Sequence, residues 1–152
     1  MLNANLEEMK YEEIESHFNE MVSDVQDMLN IGDDLDVAVH FKASPLIESK
    51  LAYHYAWYAR EATNASIEKK RKEALVGIEA RGVLSKPTAD SVKEYVDGNV
   101  NVLLARKIES YYQMFAEYLK HSLTAAQGRQ EILCALYERE YMGGIQDDAN
   151  LE

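Results

Sequence analysis

A heptad pattern in the last third of the chain constrains the fold more than any other feature. Between residues 100 and 141, apolar side chains recur at alternating spacings of four and three, which is the a/d pattern of helices that pack along a partner helix. A helix of about 42 residues is roughly 60 Å long at 1.5 Å per residue, so it needs an equally long partner. The residues that we assign to this hairpin or oligomer seam are Leu104, Ile108, Tyr111, Phe115, Tyr118, Ile132 and Leu136.

The partner helix is predicted upstream, after a proline. Ser44 can cap free backbone N–H groups, Pro45 fits the first helical position, and Gly82 is a typical C-terminal stop. Thr88 can cap a short third helix. We therefore predict an all-α fold, a long antiparallel helical hairpin that is coiled-coil-like. Its hairpin spans residues 45–142, with helices at about 45–81, 88–96 and 100–141.

The N-terminal segment predicts a separate amphipathic helix with an acidic outer face. Leu6, Met9, Ile14 and Phe18 begin a series of apolar residues at helical spacing. We expect this acidic helix within residues 1–30, a connector over 31–44, and a flexible tail over 143–152. Since a two-helix hairpin cannot bury both of its apolar stripes, we also expect a homo-oligomer.

Charge and cysteine content exclude several classes of protein. The net charge is −11, but residues 1–40 contribute −10, residues 41–86 contribute +4 and residues 87–152 contribute −5. A single cysteine, Cys134, excludes a disulfide scaffold. No apolar run approaches the roughly 18–20 residues of a membrane span, and the first residues lack the features of a signal peptide. We expect a cytoplasmic protein that has no membrane contact.

The residues that most often perform catalysis form no recognisable motif. Glu13 and His17, and likewise Glu117 and His121, are four apart, whereas di-iron bundles use Glu-x-x-His. Cys134 lies among apolar neighbours in a predicted helix, which favours a core or interface thiol. Phosphate-binding loops, dinucleotide fingerprints and nucleophile elbows are absent from the sequence. We expect no enzymatic activity, no catalytic residue, no cofactor and no metal.

A basic cluster in the second predicted helix permits two interpretations. The candidate residues are Lys69, Lys70, Arg71, Lys72 and Arg81. They can form a solvated face with Glu–Lys pairs, or a stripe that contacts phosphates. Tyr53 and Trp57 lie upstream, where aromatic rings near cations can stack on unpaired bases. Tyr55 and Tyr58 suit helix packing better.

The order of these parts resembles phage recombination mediators of the UvsY type. The resemblance rests on SKLAYHYAWYAREATNASIEKKRKEALVGIEARG, then KPTADSVKEYVDGN, then a long helix that ends in AAQGRQEILCALYERE. It implies a ring of helical hairpins that binds single-stranded DNA and helps a RecA-like recombinase to load in place of single-strand-binding protein. By position, it implies DNA contacts for the five basic residues of the cluster, and it suggests the host-cell cytoplasm as the location.

Two other functions remain open at this stage. The chain can be an acidic helical interaction module without DNA affinity: an inhibitor, a DNA mimic or an adaptor. Its acidic helix can then dock on a basic partner, or mask the basic cluster until a partner removes it. Helical self-association is also compatible with an assembly component of a virion.

Overall fold

A computed structural model describes residues 3–32 and 36–142, and these residues form helices without any strand. Four α-helices follow one another, and a π-helical turn, Glu138–Met142, continues the last of them. The helices are α1 (Tyr11–Leu29), α2 (Val37–Val83), α3 (Ala89–Gly98) and α4 (Val100–Tyr137). The predicted all-α hairpin is confirmed, whereas the predicted tail over 143–152 lies outside the described residues.

The two long helices, α2 and α4, run antiparallel along most of their length. The start of α2 meets the end of α4, where the rings of Phe41 and Tyr137 stack at 5.0 Å. Further along, Tyr58 stacks on Phe115 at 5.0 Å. The pairing ends near the turn, where α3 folds back beside α2 and the Tyr95 hydroxyl donates to Glu79 at 3.0 Å.

The prediction that the second helix begins at Pro45 is wrong, because α2 begins eight residues earlier. The Asp36 carboxylate accepts a hydrogen bond from the Val39 N–H at 3.1 Å and so caps the helix, and Pro45 lies inside it. An internal proline costs about 3 kcal/mol. Packing against α4 offsets this cost, since Val37 and Ser44 are buried and Phe41 stacks on Tyr137. Residues 37–44 of the predicted connector are therefore helical.

Helix α1 lies parallel to α4 and covers one face of the hairpin. The Tyr112 hydroxyl accepts from the Leu6 N–H at 3.1 Å, and the Tyr118 hydroxyl donates to the Val22 carbonyl at 3.4 Å. Between these two points, Phe18 packs edge-on against Phe115 at 5.1 Å. The helix begins at Tyr11 rather than at Leu6, where the predicted apolar series starts, and the segment before it forms a turn. The acidic amphipathic helix is thus confirmed, with a shorter span.

The seam of α4 is rotated from the predicted one. The face buried against α2 includes a series at spacing seven that is one residue later than the predicted series, namely Ala105, Tyr112, Leu119, Ala126 and Leu133. Of the predicted series, Ile108 and Phe115 are also buried, and Leu136 is half-buried. Leu104 and Ile132 are 52% and 63% exposed, so their assignment to the hairpin seam is wrong.

Helix α1 explains this rotation. Tyr111 and Tyr118 of the predicted series face α1, Phe115 contacts both α1 and α2, and α1 covers only the middle of the series. Tyr111 packs against Tyr11 at 6.1 Å, and Tyr118 against Phe18 at 5.6 Å. Helix α1 and the turn before it reach neither Leu104 at one end nor Ile132 at the other closely enough to bury them. Because apolar side chains of α4 form both the predicted series and the buried series one residue later, the pattern reflects two neighbouring helices, α1 and α2, instead of one.

Candidate nucleic-acid interface

The predicted basic cluster is distributed around α2, because four consecutive residues span more than one helical turn. Lys69 points toward α4, where its Nζ donates to Glu109 Oε2 at 2.6 Å. The side chains of Lys69 and Glu109 are 22% and 11% exposed. This hydrogen bond from Lys69 lowers the pKa of Glu109, although burial opposes the shift. Lys69 therefore joins the two long helices and is not free to contact a phosphate.

Arg71 and Lys72 share one carboxylate on their own helix. Glu68 lies 3.6 Å from Arg71 Nη1 and 4.0 Å from Lys72 Nζ. Exposed pairs of this kind contribute at most about 0.5 kcal/mol, so a phosphate can compete for either cation. The Arg71 side chain is also 71% exposed. The partners of Arg71 and Lys72 belong to α2 itself, which argues against masking of these cations by the acidic helix.

Lys70 and Arg81 are exposed on a second side of α2. They are eleven residues apart, just over three helical turns, so they project in the same direction. Neither has a carboxylate of a described residue within 4.0 Å. The five predicted residues thus divide into one helix-joining lysine, two cations beside Glu68, and two cations that are exposed and unpaired within the described part of the chain.

Three cations and a tyrosine follow the face of α2 that points away from α4, and we name these four residues the outer line: Lys42, Tyr53, Arg60 and Arg71. Their spacings of 11, 7 and 11 residues place all four side chains on one side of the helix. All four residues are exposed, Tyr53 by 63%. From Lys42 to Arg71 the line extends roughly 44 Å at 1.5 Å per residue.

The outer line contains no acidic residue. The positions between its members that share its face are Leu46, Ser49, Asn64 and Ile67. Two carboxylates lie on its flank, where Glu61 is 3.1 Å from Arg60 Nη2 and Glu68 pairs with Arg71. The predicted cluster consists mainly of consecutive cations, and it omits Lys42 and Arg60. The spacing of these two residues from Arg71 places all three on one face of a helix, so it could have identified them from the sequence.

The aromatic residues upstream of the cluster have two different environments. Tyr58 is fully buried between α1 and α4, where its hydroxyl lies 3.0 Å from His17 Nε2, and burial raises its pKa to about 12. Tyr55 packs at the edge of the same core. Trp57 is half-buried and packs edge-on against Tyr58 at 4.8 Å, which leaves Tyr53 as the open ring. Core packing is confirmed for Tyr55 and Tyr58.

The cations near the turn of the hairpin serve to join helices. Arg106 of α4 donates to Glu73 of α2 and to Asp97 of α3, both at 2.8 Å. These hydrogen bonds, with Asp97 the larger cause, raise the pKa of Arg106. Like Lys69, Arg106 forms hydrogen bonds that join helices, so its side chain is not available to a ligand.

The remaining polar residues form no further centre in the described part of the chain. His54 Nδ1 pairs with the Asn3 side-chain oxygen at 3.0 Å, and His121 with Glu117 at 3.2 Å. No group of three or more His, Cys, Asp or Glu residues between 3 and 32 or between 36 and 142 is arranged to hold a metal ion. None of the helices in these ranges is both long enough and apolar enough to cross a membrane.

The acidic residues of α1 point away from the hairpin. The apolar face of α1 is buried through Ile14, Met21 and Val25, and Glu12, Glu15 and most other carboxylates of the segment are exposed. The protein therefore presents an acidic surface along α1 and a cationic line on the outer face of α2.

Comparison with known proteins adds no relative: no protein-family model, curated protein or solved structure matches this chain.

Proposed function

We propose that the protein binds single-stranded DNA along the outer line of α2 and acts as a recombination mediator. The observation that supports this proposal most strongly is the outer line itself, in which three exposed cations and one exposed tyrosine follow a single face with no carboxylate among them. Cations attract the phosphates, and the ring of Tyr53 offers a stacking surface to an unpaired base. Lys70 and Arg81 extend the cationic surface on a neighbouring side of the helix.

Single-stranded DNA fits this surface better than a duplex does. The line is narrow and nearly straight, and sequence-specific reading of a duplex requires an element that enters a groove. A flexible strand can follow scattered cations and place a base on a ring, whereas the bases of a duplex are stacked on one another. A RecA-like recombinase and the single-strand-binding protein that it replaces are the expected protein partners, as the resemblance to the mediators implies.

Self-association strengthens the proposed binding. Three cations on one chain hold a strand weakly, and several copies of the line in one assembly gain affinity because the second contact becomes intramolecular. Exposed apolar side chains away from the outer line support an oligomer, notably Leu75, Ile78, Val100 and Leu104, which are 52–76% exposed. Sedimentation or light scattering should therefore give a mass that is a multiple of 17.3 kDa. A stable monomer at micromolar concentration contradicts this part of the proposal.

The binding step is tested by titrating fluorescent single-stranded and duplex oligonucleotides at about 50 and 200 mM salt, a range over which phosphate contacts lose affinity. We expect binding to the single strand that weakens steeply with salt, and weaker binding to the duplex. Absence of binding at the lower salt concentration overturns the proposal.

The second candidate function is an acidic interaction module, and the exposed carboxylates of α1 favour it. Because α1 buries its apolar face against the hairpin, its acidic face is fixed in one orientation. A rigid acidic surface of this kind can bind a basic protein or imitate the charge of DNA. If the titration shows no DNA binding, capture of a basic protein by the native chain, lost when Glu8, Glu12 and Glu15 become Gln, establishes this alternative.

A further inference from the structure

An open cleft lies between α2 and the turn that precedes α1, next to the outer line. Its volume is about 570 Å³, within the range of roughly 300–1,000 Å³ that is usual for small-ligand sites. Asn5 and Glu7 of the turn and Tyr112 of α4 line one part of it. The wall that α2 supplies has residues at alternating spacings of four and three, namely Trp57, Glu61, Asn64 and Glu68. Because Asn64 also shares the face of the outer line, the cleft opens directly beside that line.

The aromatic surface of the cleft is the indole ring of Trp57, which is half-buried. The ring of Tyr58 meets the indole at 84° and the ring of Tyr112 meets it at 62°, so neither of them stacks parallel to it. The exposed part of the indole lines the cleft. A planar ring that enters the cleft can therefore stack on Trp57, as unpaired bases stack on aromatic side chains in proteins that bind single strands.

Two carboxylates of the cleft pair with the arginines of the outer line. Arg60 Nε donates to Glu61 Oε1 at 3.1 Å, and Arg71 Nη1 lies 3.6 Å from Glu68 Oε2. A phosphate can replace either carboxylate, since the two arginine side chains are 65% and 71% exposed and such exposed pairs are weak. A phosphate on Arg60 or Arg71 therefore releases carboxylate oxygens at the cleft, where the base of the same nucleotide can donate hydrogen bonds to them.

We propose that the cleft binds one unpaired base of the strand and selects guanine, with Trp57 stacked on the base and Glu61 or Glu68 accepting its hydrogen bonds. This inference rests on the proposed DNA binding along the outer line and adds a base-specific site to it. Guanine presents two adjacent donors, N1–H and the N2 amino group, which match the two oxygens of a carboxylate. Thymine has a carbonyl on each side of its N3–H, and an ionised carboxylate, which only accepts, repels both of them. Cytosine and adenine have an acceptor beside their amino group and should rank between the two.

Trp57 is the one tryptophan of the chain, so its fluorescence reports stacking in the cleft directly. The test compares three strands of about 15 nucleotides, made of thymine alone, of thymine with isolated guanines, and of thymine with abasic sites in place of those guanines. By anisotropy, the guanine strand should bind the full chain about tenfold more tightly than the thymine strand, and it should quench Trp57 most. The abasic strand should bind without additional quenching.

The two readouts separate this inference from the proposed function. If all three strands bind and none quenches Trp57, the base site is overturned and the outer line stands. Equal affinity and equal quenching for the guanine and thymine strands overturn the selection of guanine. If no strand binds, both the outer line and the base site are overturned.

A double variant, Glu61→Gln with Glu68→Gln, separates recognition of the base from the effect of charge. Loss of the carboxylates frees the cations of the outer line, so the thymine strand should bind at least as tightly as before, while the preference for guanine should fall to about threefold or less. The control, Glu94→Gln with Glu131→Gln, removes two exposed carboxylates outside the cleft and should keep the preference. Trp57→Leu should also remove it. A tenfold preference that survives in the double variant of the cleft overturns the proposal.

Two other occupants of the cleft are outcomes of the same titration. A short lysine peptide that quenches Trp57 at a lower concentration than the guanine strand shows that the cleft takes a cation, and it overturns a base as the occupant. Leu2 lies outside the described residues, three positions before Asn5. Leu2→Ser should bind the guanine strand as the unchanged protein does. A tenfold gain in affinity in this variant shows that the chain's own first residues fill the cleft, which also overturns the proposal.

Discussion

The half of the hairpin that α1 covers differs from the half beside α3 in what holds its helices together. In the α1 half, which contains residues 41–65 of α2 and 110–137 of α4, large side chains interlock, and Tyr58, Phe115, Leu51 and Leu119 are fully buried. In the α3 half, which contains residues 69–109, the buried apolar residues are Val76, Ala80, Val102, Ala105 and Ile108, and α3 buries none of its own. Ion pairs take the place of the large side chains there.

This difference indicates a division of roles along one pair of helices. Aromatic residues bury about 150–250 Å² each, so the α1 half should supply most of the stability of the fold. The α3 half keeps its helices in register through Lys69–Glu109 and through the contacts of Arg106 with Glu73 and Asp97. It leaves Leu75, Ile78, Val100 and Leu103 about half or more exposed, which is where contacts between copies of the chain would be most favourable.

The largest expected effect of a single substitution is in the α1 half. Phe115→Ala removes a fully buried ring that contacts Phe18, His17 and Tyr58, and it should lower the free energy of unfolding by about 3–5 kcal/mol. Leu104→Ala is the matched control on the same helix, and it should cost less than about 1 kcal/mol in the monomer because Leu104 is half exposed. Urea unfolding measures both, and equal losses would contradict the assignment of the core.

A somewhat smaller effect is expected at high pH from Tyr58. Its pKa is raised from 10.0 to about 12 in the folded protein, mainly by burial, so its contribution to stability is complete below pH 10 and is lost as the pH rises to about 12. The loss should approach roughly 2–3 kcal/mol, by the usual 1.4 kcal/mol per pH unit. Unfolding curves between pH 9 and pH 12 test this, with Tyr58→Phe as the control that should remove the part of the dependence due to Tyr58 and leave the part due to Tyr112, whose pKa burial also raises.

The ion pair of the α3 half should produce the smallest effect, with the opposite dependence on pH. Glu109→Gln should cost about 1–3 kcal/mol near pH 7, because Lys69 then lies partly buried beside a neutral group. The pKa of Glu109 is lowered from 4.5 in the folded protein, so the contribution of the pair is present above that value and is lost as the pH falls below it. The variant and the unchanged protein should therefore converge in stability in acid. A difference that persists there contradicts a role for the charge.

The sequence predicted which helices form better than it predicted where each helix begins and which face of α4 packs against α2. Apolar spacing indicates that a helix exists, and it identified α1, α2 and α4. The early start of α2 could not be predicted, because it depends on packing of Phe41 against Tyr137, 96 residues away along the chain. The rotation of the α4 seam likewise depends on α1, since a heptad pattern alone does not tell how many neighbours a helix has.

The candidate site shows the same limit at the level of single residues. In the sequence, Lys69 is one of four consecutive cations that look equivalent. Only its contact with Glu109, forty residues later, shows that Lys69 joins two helices whereas Arg71 is exposed. By contrast, the outer line depends on helical geometry alone, so its members could have been found from the spacing of Lys42, Tyr53, Arg60 and Arg71. Contacts within a helix are predictable from spacing, whereas contacts between helices are not.

The measurement that tests the central claim most directly is the salt dependence of single-stranded DNA binding in two charge-matched triple variants. One variant changes Lys42, Arg60 and Arg71 on the outer line to Gln. The control changes Lys93, Lys120 and Arg139, which are also exposed, to Gln. Each phosphate contact contributes about 0.7 to the slope of log K against log salt for a single strand. The outer-line variant should therefore lose about 2 from the slope per chain that contacts the strand, and the control should keep it. Equal slopes in the two variants would contradict the assignment of the DNA to α2.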